Sequence, residues 1–331
     1  MADRPKILVT QKVPDPAYPP LAAIGDVEAN IEEGSIWPYE ELLRRGPNHD
    51  YIYCLLTDNI DARFLEACAA GTPHLKMVAN MAVGYNNIDL ETATRLHIAV
   101  SNTPGVLSDT TADLAFALLM ATARRIPEAE RYLRAGKYKG WGPLLFCGMD
   151  VYGSTLGLIG AGRIGKIVTK RASGFDMKVL YYDVYRMSPE DEAQYNLTYM
   201  PMEDVLQQSD FISVHTPYMP STHHLIGERE LAMMKPTAIL INTARGPIVD
   251  EKALVQALQA GTIAGAGLDV FENEPAVEPE LMTMENVVIL PHIASASLKT
   301  RTLMATMASD NIIAHYHGER PPNIVNPEVL K

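Results

Sequence analysis

Cysteine is scarce in this 331-residue sequence: Cys54, Cys68 and Cys147 are odd in number and far apart. They form no zinc or redox spacing, and a reducing compartment suits them best. Tryptophan occurs twice. No apolar run approaches the roughly 20 residues needed to span a bilayer. Basic residues are outnumbered, with 28 Lys and Arg against 40 Asp and Glu and a formal charge of -12. That balance argues against sequence-independent contact with nucleic acid or with anionic membrane surfaces. An anionic substrate stays open, because one arginine in a cleft outweighs a diffuse surface field. The first residues hold no apolar signal core, so a cytoplasmic location is expected. There is no internal repeat, low-complexity tract or heptad series.

What is present is alternation. The length suggests two cores, and 47% hydrophobic residues is ordinary for a globular protein. Residues 6–10, 51–56, 75–79 and 98–101 read as buried strands, separated by helical spacing over 61–70 and 90–96. A long helical run is predicted over 109–133, apolar on more than one face. Such a helix packs between domains or subunits, or simply in a core. Residues 137–150 read as an extended arm. Strands return at 155–159, 179–182, 211–215, 238–242, 264–270 and 287–290. Helices are expected over 163–173 and 251–259, the latter stopping near Gly261. This is the pattern of a doubly wound parallel sheet.

The run Gly160-Ala161-Gly162-Arg163-Ile164-Gly165 sits between the strand ending at Ile159 and the helix that follows. A bare Gly-x-Gly-x-x-Gly is often just a loop. In this context Gly160 permits the tight turn, Gly162 lets backbone approach a pyrophosphate, and Gly165 lets helix pack on strand. The diphosphate then meets the positive helix end. Asp183 closes the next strand, 183 − 165 = 18 residues on, where an acid accepts from the adenosine 2′-hydroxyl and repels a 2′-phosphate. NAD is thereby favoured. Arg186 keeps NADP open, since a guanidinium pairs with phosphate.

Three polar residues follow later strands: Arg245, Glu274 and His292. Singly, each has a bland reading as a surface ion pair, a turn residue or a satisfied polar group. Together they supply what reduction of a 2-oxo acid requires. A guanidinium grips the carboxylate, an imidazole donates a proton, and a carboxylate orients and favours the charged imidazole. The hydride must come from a nicotinamide.

These residues and their surroundings resemble the D-2-hydroxyacid dehydrogenase family, in its glyoxylate/hydroxypyruvate (D-glycerate) reductase branch. The matching stretches include Ala82-Val83-Gly84-Tyr85-Asn86-Asn87-Ile88-Asp89, Asn102-Thr103-Pro104-Gly105-Val106-Leu107 and Thr111-Ala112-Asp113. They continue through the glycine turn, Asn242-Thr243-Ala244-Arg245-Gly246, Gly267-Leu268-Asp269-Val270-Phe271 with Glu274-Pro275, and Pro291-His292-Ile293-Ala294-Ser295.

The resemblance implies a Rossmann NAD-binding domain (104–294) inserted into a flavodoxin-like substrate domain (1–103 and 295–331), both doubly wound α/β. A helix around 300–315 would belong to the substrate domain. The resemblance also implies that Arg245 binds the substrate and that His292 is the acid/base, with Glu274 as its partner. Val83 and Gly84 would receive the substrate carboxylate through their backbone. Asp269 and the Thr243 carbonyl would hold the nicotinamide carboxamide, with Thr111 near the cofactor. The long helix and the Trp141 arm would form a homodimer, and Trp141 would approach the partner's site or serve the arm alone.

Asn86 and Ala294 stand where many relatives have Asp and Gly, and Asp183 departs from the NADPH-preferring members. Alternatives are another specificity, such as D-lactate or phosphoglycerate, or an NAD-sensing co-repressor. Glu274 differs from the Gln of formate-oxidising relatives, and the Pro-His-Ile-Ala-Ser run favours the glyoxylate and glycerate enzymes. No regulatory extension or long disordered tail is expected in a chain of this length.

Overall fold

The computed structural model describes residues 4–330, so the expected outer limits of the substrate domain, 1 and 331, lie outside the described residues. The chain divides into two compact units. One runs to Leu107 and resumes at Ala296; the other is Ser108–Ser295. The crossings thus fall at 107/108 and 295/296, against the expected 103/104 and 294/295.

In the first unit, β1 (Lys6–Val9), β2 (Asp26–Ala29), β3 (Tyr51–Cys54), β4 (Met77–Asn80) and β5 (Ala99–Ser101) form one sheet. Its order is β2-β1-β3-β4-β5 and every pairing is parallel, the flavodoxin-like arrangement. Leu8, Ile52, Val78 and Val100 point to one face. They pack with Phe64 and Leu65 of the helix Ala62–Ala69, whose apolar spacing was visible in the sequence. The C-terminal helix, Leu298–Tyr316, is tied to this unit by Ser309 Oγ donating to the Ala17 carbonyl at 3.0 Å. The Tyr53 hydroxyl donates to the Ala305 carbonyl at 3.1 Å. The edge strand β2 is absent from the sequence reading. Its Asp26 and Glu28 lie on an exposed edge, so no apolar pattern marks it.

The second unit begins with two helices, Ser108–Ala123 and Ile126–Arg134, where one was predicted over 109–133. Pro127 explains the break: it lacks an N–H and its ring clashes with the carbonyl four residues back. Arg125 turns left-handed (φ 53°) between them.

Seven strands follow: β6 (Thr155–Ile159), β7 (Lys178–Tyr182), β8 (Leu197–Tyr199), β9 (Phe211–Val214), β10 (Ile239–Asn242), β11 (Gly265–Leu268) and β12 (Val287–Ile289). Their order is β8-β7-β6-β9-β10-β11-β12 and all are parallel, the Rossmann order with one strand added. The three-residue edge strand β8 is a second strand that the sequence reading lacks. Leu240 packs on one face of the sheet, and Ile239 and Ile241 on the other. Burial on both faces produces the near-continuous apolar strands of the sequence.

Register decides where the chemistry lies. Ile159 pairs with Tyr182 and Val214; Asn242 pairs with Val214 and Leu268; Leu268 pairs with Ile289. Gly160, Asp183, His215, Thr243, Asp269 and Leu290 therefore emerge along one sheet edge. The topological switch point lies between β6 and β9. No helix among the described residues is long and apolar enough to cross a membrane.

Candidate active site

At the switch point, Gly160 is left-handed (φ 92°), and a Cβ there would meet the His215 carbonyl carbon and the Thr216 nitrogen at 2.8 Å. At Gly165 a Cβ would meet the Gly160 carbonyl oxygen at 2.7 Å. Gly162 differs, because a Cβ there meets nothing within 4 Å. It precedes the helix Arg163–Ser173, whose N-terminus no side chain caps. Unfilled space beside uncapped N–H groups fits a phosphate. Arg163, at the first helical position, is exposed and forms no ion pair among the described residues. Ile164 beside it turns partly into the core.

Asp183 is bound into this turn. One carboxylate oxygen accepts from Ala161 N at 2.9 Å and the other from Tyr185 N at 3.2 Å. Each oxygen keeps lone pairs for a ribose hydroxyl. The Thr216 and Thr243 hydroxyls, at the ends of β9 and β10, are buried with no hydrogen-bond partner among the described residues. His215 bonds Ser213 Oγ at 2.8 Å, and burial lowers its imidazole to about 4. Sequence reasoning missed His215 and Thr216. Aligning the strand ends would have placed both beside the glycine turn.

Further along the edge, Asn242 builds the loop that carries Arg245. Its Oδ1 accepts from Ala244 N at 3.0 Å and its Nδ2 donates to the Arg245 carbonyl at 2.9 Å. The half-buried Arg245 guanidinium donates to the Ala244 carbonyl at 2.7 Å. Desolvation lowers its pKa, while nearby Glu274 acts to raise it. Arginine stays charged regardless.

Glu274 bridges two groups. One oxygen accepts from Phe271 N at 2.9 Å, and the other lies 2.9 Å from His292 Nδ1. Burial pushes its carboxyl up most strongly. The hydrogen bond and charge of His292, the Phe271 N–H and Arg245 together outweigh burial and leave it below its ordinary value. An ionised carboxylate only accepts, so the Nδ1 proton points to Glu274 and Nε2 is left to exchange protons.

His292 itself is left-handed, at φ 54°. Such a conformation in a non-glycine residue costs about 1–3 kcal/mol and must be held by its surroundings. Asp269 holds it: its two oxygens accept from Ile293 N and Ala294 N, each at 2.7 Å. Asp269 is fully buried, and burial raises its pKa against the lowering by those two N–H groups.

Arg245, Glu274 and His292 are thus brought together, with Asp269 beneath the last. Trp141 is not: it stands 84% exposed on the connector and shares no hydrogen bond or ring contact with them. Thr111 is buried in the first turn of the helix Ser108–Ala123. In the other unit, Val83 and Gly84 lie in the loop after β4. The Val83 carbonyl accepts from Asn102 Nδ2 at 2.7 Å and the Gly84 carbonyl from Asn80 Nδ2 at 3.0 Å.

A doubly wound sheet with a phosphate-ready glycine turn, an acid at the second strand end and an Arg–Glu–His group on the same edge defines a nicotinamide-dependent oxidoreductase. Residues 116–294 match the model of the D-isomer specific 2-hydroxyacid dehydrogenase NAD binding domain. The chain is 49% identical to a glyoxylate reductase of Korarchaeum cryptofilum, over 99% of this chain and 98% of the relative. Among solved structures, a glyoxylate reductase from Paecilomyes thermophila superposes with TM-score 0.87 at 31% identity, covering 99% and 100% of the two chains. An NADPH-dependent glyoxylate/hydroxypyruvate reductase from Sinorhizobium meliloti, in complex with NADP and malonate, gives 0.84 at 34%, covering 98% and 97%. The chain belongs to the D-isomer specific 2-hydroxyacid dehydrogenase family.

Proposed function

We propose that this protein reduces glyoxylate and hydroxypyruvate, to glycolate and D-glycerate, with NADH preferred over NADPH. The observation that carries the reading is the 2.9 Å pair between Glu274 and His292 Nδ1, with Arg245 close enough to act on the same carboxylate. Full-length similarity to glyoxylate reductases supports the substrate class.

The reacting acid is small and anionic. Arg245 would hold its carboxylate in a two-pronged pair. His292 Nε2 would then lie at the carbonyl oxygen and deliver its proton as negative charge develops there. Glu274 would keep the ring oriented and offset the imidazolium charge. When bound, the nicotinamide supplies the hydride.

For the cofactor, Gly160, Gly162, Arg163, Ile164 and Gly165 would hold the diphosphate and Asp183 the ribose. Thr111 would line the cofactor site. The Thr243 carbonyl and the second lone pairs of Asp269 would accept from the carboxamide. The charge on Asp183 is the basis for preferring NAD; NADP remains the second reading because Arg186 lies three residues on.

A homodimer fits the exposed apolar surface of the second unit. Ile126 and Leu133 are 51% and 60% exposed, and Trp141 and Leu144 are 84% and 85% exposed. Sedimentation velocity of wild type beside a Leu133→Asp, Leu144→Asp variant tests this, with a monomeric wild type as the opposing result. Trp141 would serve the dimer arm or reach the partner's substrate.

Steady-state oxidation of NADH and NADPH with glyoxylate, hydroxypyruvate, pyruvate and phosphohydroxypyruvate tests the whole reading. The two small acids should lead in kcat/KM, and His292→Gln should abolish turnover. A lead for pyruvate or the phosphorylated acid assigns another specificity. No turnover with any of them would favour a binding protein.

A further inference from the structure

Arg186 is the one basic residue of the loop that follows β7, three positions beyond Asp183. It is therefore the residue placed to meet a phosphate on the adenosine ribose. Its guanidinium is committed elsewhere. Nε donates to Glu192 Oε1 at 2.8 Å and Nη2 to Glu192 Oε2 at 3.0 Å, a fork-to-carboxylate pair. The Tyr199 ring lies under the guanidinium at 5.2 Å.

Glu192, in the short helix Pro189–Tyr195, is anchored in turn. The Tyr181 hydroxyl donates to its Oε1 at 2.8 Å, and Tyr181 is itself fully buried and accepts Met187 N. The Glu192 side chain is only 13% exposed, against 61% for Arg186. The acid is thus the fixed member of the pair and the arginine the movable one.

We infer that Glu192 is a specificity residue acting through Arg186: it withholds the guanidinium that would otherwise bind the 2′-phosphate of NADP. This inference rests on reading Asp183 as the ribose-binding acid. Discrimination is then double. Asp183 repels the phosphate, and Glu192 occupies the group that would attract it. To serve NADP, Arg186 must give up two charge-assisted hydrogen bonds and the Tyr199 face. An exposed pair is a modest restraint on its own, so the expected effect is moderate rather than absolute.

The test is isothermal titration of the full-length protein with NAD+ and with NADP+, without substrate. Wild type, Glu192→Gln, Arg186→Gln and the double variant form a thermodynamic cycle. Glu192→Gln should tighten NADP+ about five- to tenfold and leave NAD+ within about twofold. Arg186→Gln alone should change NADP+ by less than about twofold, because the arginine is already withheld. In the double variant the gain should vanish.

A gain that persists without Arg186 would reflect simple removal of negative charge and would overturn the inference. An unchanged NADP+ affinity in folded Glu192→Gln, or equal losses for both cofactors, would also overturn it. Glu192→Asp keeps the charge but shortens the reach; it should tighten NADP+ as well, and serves if Glu192→Gln fails to fold. The wild-type ratio of the two affinities reports on Asp183 separately. A wild type that binds NADP+ more tightly refutes the ribose reading, whatever the cycle gives.

Discussion

Asp183 accepts the backbone N–H of Ala161 at 2.9 Å, which ties the end of β7 to the middle of the glycine turn. The residue proposed to select the ribose therefore also shapes the phosphate cradle. Asp183→Asn separates the two roles, because the amide oxygen still accepts that N–H while the charge is gone. The NADPH/NADH ratio of kcat/KM should rise about tenfold, or ~1.4 kcal/mol. An unchanged ratio removes Asp183 from cofactor choice.

Arg245→Lys keeps a positive charge and loses the planar fork. A point charge does not reproduce a two-pronged grip, so kcat/KM for glyoxylate should fall on the order of 100-fold. Thermal stability should change little, since Asn242 and not the guanidinium builds the loop. Near wild-type kcat/KM in this variant would contradict the assigned role.

Asp269→Asn tests the support beneath His292. An amide has one accepting oxygen, so one of the Ile293 and Ala294 N–H groups loses its partner and faces an NH2 group. Stability should drop by about 1–3 kcal/mol. The left-handed His292 should lose its set position, and kcat should fall more than KM rises. Denaturant titration with steady-state kinetics reads both; a stable variant with unchanged kcat would show that the loop holds itself.

The His215 imidazole, lowered to about 4 by burial, makes stability depend on pH. The folded state keeps it neutral, while the unfolded chain protonates near the ordinary 6.5. The unfolded state thus binds more protons between those values, so stability is full above about 6.5 and is lost as pH falls toward 4. The loss is at most about 3 kcal/mol, less because the residue as a whole is only half-buried. Urea midpoints at pH 7 and pH 5 should differ in wild type and converge in His215→Asn. Equal slopes in both proteins would assign the acid sensitivity to other groups.

Most of the sheet scaffold was legible because its strands are buried on both faces and stand out as apolar runs between amphipathic helices. The glycine turn was legible because each glycine answers a local demand. What escaped has physical causes. β2 and β8 lie on sheet edges, where short, part-exposed strands leave no pattern. The break at Arg125 turns on one proline, Pro127, within a run whose helical spacing continues on both sides. The triad was read from strand ends alone, but Asp269's grip on the 292–294 backbone was not, since spacing does not reveal a buried carboxylate bonded to main-chain N–H groups. Glu192 was equally silent, because its effect depends on a fork pair formed only in the fold.

With His292 as the proposed proton donor, its left-handed backbone would set stability and activity against each other at one position. Glycine or asparagine would relieve its φ of 54°, but neither supplies an imidazole. A library of this protein screened for heat resistance alone should therefore enrich inactive variants at residue 292, and a thermostabilised catalyst must draw its gains from elsewhere in the chain.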